Sequence, residues 1–96
     1  MNIRNELANW ISSMYSKSKE TYSQRHKMLI HKIETSQCYN EIQSGVWYTQ
    51  QLEIAFSDVE RTYYVLKEQF SDLHFSLFLK RVDLLMEIIN DDSLIG

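Results

Sequence analysis

The sequence predicts an all-α protein: a long N-terminal helix packed as an antiparallel hairpin, or three-helix bundle, with two C-terminal helices. Three observations carry this. Proline is absent and glycine occurs only at Gly45 and Gly96, so the chain lacks the turn residues that a β-rich fold of this size needs. Apolar residues recur at steps of three and four, the period of a helix with one apolar face. Ser36, Asn40 and Ser44, which compete with helix, together with Gly45 mark an interruption at 36–46, and Ser71–Asp72 reads as a cap, which divides the chain into long elements.

The first helix is expected over about 3–35. Ile3, Leu7, Trp10, Ile11, Met14, Tyr15, Ser18, Tyr22, His26, Leu29 and Ile33 trace one line along it. Asn2 is placed to cap its start. Its middle, SKSKETYSQRHK, is almost wholly polar, yet it contains no glycine or proline and keeps the helical period, so one continuous, exposed helix is expected. Residues 36–46 are read as a connector: Ser36, Asn40 and Ser44 favour local hydrogen bonds, and Gly45 is a residue that ends helices. A second helix follows over about 47–70. Its stripe of Leu52, Ala55, Val59, Tyr63, Leu66 and Phe70 is the expected seam, continued by Leu73 and Leu77. Ser71–Asp72 reads as the cap of a third helix over about 73–90, whose row is Phe75, Phe78, Val82, Leu85, Met86 and Ile89. The tail DDSLIG is expected to fray.

These elements suit one domain spanning 1–96. Apolar residues make up 44% of the chain, too many for a disordered one. Cys38 is the only cysteine, so no intrachain disulfide forms, and a cytoplasmic setting is expected. The N-terminal MNIRNELANW lacks the apolar core of a signal peptide, and no apolar run is long enough to cross a bilayer. The net charge of −3 is unevenly spread: residues 1–36 carry six Lys/Arg against three acids, and residues 37–96 carry four against ten. Lys17, Lys19, Arg25, Lys27 and Lys32 form the alternative functional feature, a basic helical segment for a nucleic-acid backbone. The acidic total weighs against that reading, so nucleic acid is not the expected partner.

Residues able to carry catalysis are sparse. His26 and His31 are five apart, unlike the spacing that places two histidines on one helical face for zinc. His31, Glu34 and Cys38 share a face only if the first helix runs that far, and they make an unlike set of metal ligands. Arg25 and His31, in RHKMLIH, have a spacing similar to the arginine–five-residue–histidine motif of the helical HEPN ribonucleases. The likeness is confined to those two residues, and they fall in the first helix rather than late in the fold, so no activity is carried over. No glycine-rich loop is present to cradle phosphate. Catalytic, cofactor-binding and metal-ligating residues are therefore expected to be none, no cofactor is expected, and the chain is read as not an enzyme.

The aromatics point elsewhere. Six tyrosines, four phenylalanines and two tryptophans are more than two or three helices can bury along one seam. Trp10, Tyr15, Tyr63, Phe70, Phe75 and Phe78 are expected to pack between helices. Trp47, Tyr48, Phe56, Tyr63, Tyr64 and Lys67 are the expected partner-binding set, because the second helix carries aromatics off its main stripe and such residues are enriched in interface cores. The function expected is a small protein–protein interaction module of adaptor, chaperone or inhibitor type. It would act through an amphipathic helix or coiled-coil contact, as a homodimer or hetero-oligomer.

Overall fold

The computed structural model describes residues 3–91, which form three α-helices: α1 (Ile3–Thr35), α2 (Tyr39–Glu68) and α3 (Asp72–Ile89). Asn2, expected as the cap of α1, and most of the tail, 92–96, lie outside the described residues. The bundle is rod-shaped, 56 × 20 × 19 Å. Its order is up, down, up, with α2 packed along both neighbours and α3 touching α1 much less than α2.

The first helix is continuous through its polar middle. Ser18 explains how: it is buried, and its hydroxyl donates to the Met14 carbonyl at 2.8 Å. A small, self-satisfied residue thus lets the polar stretch keep contact with the core, while Ile11, Tyr15 and Leu29 bury on the same line.

The connector is shorter than 36–46. It spans 36–38, and α2 begins at Tyr39, so the segment read as a loop is two turns of helix. Ser36 organises the turn. Its hydroxyl accepts the Cys38 N–H at 3.2 Å and donates to the Glu41 carboxylate at 3.1 Å, which places an acid beside the positive end of α2. Gly45 does not end a helix. A Cβ built there would meet Ile33 Cγ1 at 2.9 Å, so glycine at this position lets α1 and α2 approach closely.

The expected break between the second and third helices is present. Gln69 adopts an extended backbone. Ser71 caps α3, its hydroxyl oxygen accepting the His74 N–H at 3.1 Å and lying 2.7 Å from His74 Nδ1. A cap of this kind stabilises a helix by about 1 kcal/mol.

The core joins Ile11, Tyr15 and Leu29 to Tyr48, Leu52, Ala55, Phe56, Val59, Tyr63 and Leu66, and to Phe78, Val82, Leu85 and Ile89. The seam expected on α2 is therefore in place as far as Leu66. Phe70 and Leu73 are not part of it: they are 46% and 75% exposed, because α2 stops at Glu68 and the helical period is interrupted there. Trp10, expected between helices, is also exposed on one side while it touches Phe75 with ring centroids 5.9 Å apart. Among the described residues no helix is long and apolar enough to cross a membrane.

Candidate protein-interaction surface

The structure divides the six residues expected to bind a partner. Tyr48, Phe56 and Tyr63 are buried, so they are structural rather than surface residues, and the expectation for them is corrected. The physical reason is the central place of α2. A helix with neighbours on two sides buries a wide sector, which takes in side chains that lie off a single seam. Tyr48 fills the gap between helices, and its hydroxyl donates to the Ile88 carbonyl. Phe56 and Tyr63 enter a ladder of rings along the α1–α2 seam. Tyr63 stacks on Tyr15 at 4.0 Å, Tyr15 lies 6.2 Å from Phe56, and Phe56 stacks on Tyr22 at 4.3 Å.

Trp47, Tyr64 and Lys67 do reach the surface. Tyr64 and Lys67 sit together at the outer edge of the ring ladder, with the Lys67 ammonium 5.7 Å from the Tyr63 ring centre and 5.9 Å from that of Tyr64. Tyr15 donates to Glu60 Oε2 at 2.6 Å on the same edge. Burial, and then the Glu60 carboxylate, push the Tyr15 phenol well above its ordinary value. Tyr22 is shifted the same way by burial, with Glu53 and Glu60 adding to it. This edge is a packed, hydrogen-bonded seam. Trp47 lies elsewhere, about 25 Å along α2 from Tyr64 by helical rise, and the structure does not bring the two together.

Trp47 belongs to a different surface. Seven and eighteen residues beyond it, Ile54 and Val65 fall on the same flank of α2. That flank turns away from α1 and adjoins the side of α3 that carries Leu73, Leu77, Leu84 and Ile88. Trp47, Ile54, Val65, Leu73 and Leu84 remain 41–75% exposed, and Leu77 and Ile88 are half-buried. Asp58, Arg61 and Arg81 cross the middle of this face. Arg61 pairs with Asp58, and Arg81 donates to the Thr62 hydroxyl and to the Asp58 carbonyl. Sequence reasoning passed over Ile54, Val65 and Leu84. Their signal was a second stripe at steps of seven and eleven, weaker than the core stripe because polar residues interrupt it.

The basic segment is dispersed. Lys17, Lys19, Lys27 and Lys32 are exposed, while Arg25 is half-buried with its guanidinium 6.0 Å above the Tyr48 ring. Lys17 and Lys19 point about 160° apart around α1, and the five cations do not share one face. His31, Glu34 and Cys38 do not form a cluster either, because α1 ends at Thr35 before Cys38. Among the described residues no three of His, Cys, Asp or Glu gather as metal ligands. Two open grooves run beside α1. One, of about 940 Å³, is lined by Leu7, Ile11, Tyr63, Leu66, Lys67 and Phe70. The other, of about 920 Å³, lies between Trp10, Met14, Lys17, Thr21 and Met86. No histidine or cysteine lines either groove.

Comparison with protein-family models, with curated proteins and with solved structures finds no match to this chain.

Proposed function

We propose that this chain is a small protein–protein interaction module, of adaptor, chaperone or inhibitor type, that engages another protein chain through the α2–α3 face. One observation carries the reading: five large apolar side chains, Trp47, Ile54, Val65, Leu73 and Leu84, stand in water on a single side of the bundle. Exposed apolar surface of this extent, bordered by charges, is characteristic of a protein contact. Two antiparallel helices presenting such a face suit a bundle-type contact with further helices. The module is read as binding rather than catalytic, and as cytoplasmic, where a lone exposed thiol such as Cys38 stays reduced.

The test compares the immobilised chain with its Ile54→Glu/Leu84→Glu variant in an extract of the native host. Both positions are exposed, so the variant should keep its helicity and melting temperature. The wild type should retain a protein, a further copy of this chain included, that the variant loses. Retention of identical material by both would refute the reading.

A further inference from the structure

Resting on that reading, we infer that the occupant of the α2–α3 face is a second copy of this chain, docked antiparallel about a two-fold axis that passes near Leu84. Two features of the face point to it.

The first is area. Weighted by their exposure, the five apolar residues leave roughly 500 Å² of apolar side chain in water, taking ~150–250 Å² for a large side chain. That matches the apolar share of the ~800 Å² that each partner buries in a standard interface.

The second is the order of groups along the face. Arg81 bonds beside Asp58 and Thr62, and Tyr48 bonds at Ile88, which fixes how α3 lies against α2. Trp47, Ile54, Leu84 and Ile88 therefore form an upper apolar group, with Glu87 beside it. Val65, Leu77 and Leu73 form a lower one, and Lys80 and Arg61 lie just above it. A two-fold contact is self-complementary: the upper half of one copy meets the lower half of the other. With the axis near Leu84, Trp47 comes to lie over Val65 and Leu73 of the second copy and Ile88 over its Leu77. Glu87 faces Lys80 of the second copy, and Leu84 meets its own counterpart. A parallel contact would instead set Lys80 and Arg61 against the same cations, which is repulsive.

The experiment measures the mass of the full-length chain by light scattering during size exclusion, over a wide concentration range. The expected result is a dimer of the 11.5 kDa chain that dissociates on dilution. Leu84→Glu should give a monomer of unchanged helicity, because it brings two carboxylates together at the axis. Lys80→Glu alone and Glu87→Lys alone should each weaken the dimer about tenfold. The double exchange Lys80→Glu/Glu87→Lys should restore it to within about threefold of the wild type, since only the antiparallel contact brings these two positions together. A chain that stays monomeric at every concentration overturns the inference; the interaction-module reading is then judged separately by the retention experiment. A dimer that ignores Leu84→Glu, or that the double exchange does not restore, overturns it as well.

Discussion

Tyr15 concentrates several kinds of interaction in one side chain. Its ring is stacked on Tyr63 and its hydroxyl reaches Glu60. A stacked pair is worth about 0.5–1.5 kcal/mol beyond burial, and a hydrogen bond to a carboxylate about 1.5–3 kcal/mol. Because burial and Glu60 oppose the phenolate, the folded state holds this proton more tightly than the unfolded chain does. Tyr22 behaves alike. Below about pH 10, the ordinary phenol value, both states are protonated and the stabilisation is complete. Above it the unfolded chain releases protons that the folded chain retains, so stability falls as pH rises toward the shifted values. Thermal unfolding should therefore give a melting temperature that declines above about pH 10, and Tyr15→Phe/Tyr22→Phe should lessen the decline. An identical alkaline decline in the double variant would contradict this account. None of this was legible beforehand: Tyr15 is visible as a helix-face residue, but Glu60 lies forty-five positions away, and only the crossing of two helices joins them.

At the scale of the element, the long helices and the break between the second and third were readable. Periodicity and caps are local, and Ser71 does what a serine before an apolar row is expected to do. The start of α2 was not readable, because Gly45 has two opposite uses. Glycine favours a helix end in isolation, and it favours a tight helix crossing where a neighbour presses on it. The neighbour, Ile33, decides which. Gly45→Ala thus sets a helix-propensity gain of about 1 kcal/mol against an overpacking cost of about 1–3 kcal/mol. The expected outcome is a net loss of roughly 1 kcal/mol, with Gly45→Ala/Ile33→Ala less stable than Ile33→Ala by nothing measurable, or more stable. Chemical denaturation of the four proteins checks it; equal destabilisation by Gly45→Ala in both backgrounds would exclude the crossing as the cause. The same reasoning explains the site. The sequence shows that α2 has surplus apolar residues, but not which flank each neighbour takes, so Tyr48 and Phe56 read as outward and Ile54 and Val65 go unseen.

At the scale of the molecule, the rod is uneven. No residue between Leu29 and Tyr48 is buried, since α3 ends at Ile89, level with Tyr48. That end of the hairpin is two helices thick among the described residues and rests on the Gly45–Ile33 contact. Local opening follows buried contact, so amides of 40–46 should exchange with deuterium at least about tenfold faster than those of 52–66. Uniform protection along α2 would show that the hairpin opens only as a whole. The two tryptophans mark distant places on this rod: Trp10 beside Phe75 near one end, and Trp47 on the α2–α3 face, roughly 30 Å away by helical rise. Both are half in water, at 45% and 53% exposure. Their emission is then already close to that of hydrated indole in the folded chain, and unfolding shifts it little. Covering Trp47 shifts it to the blue while Trp10 stays silent, so Trp10→Phe turns the chain into its own label-free optical sensor of association.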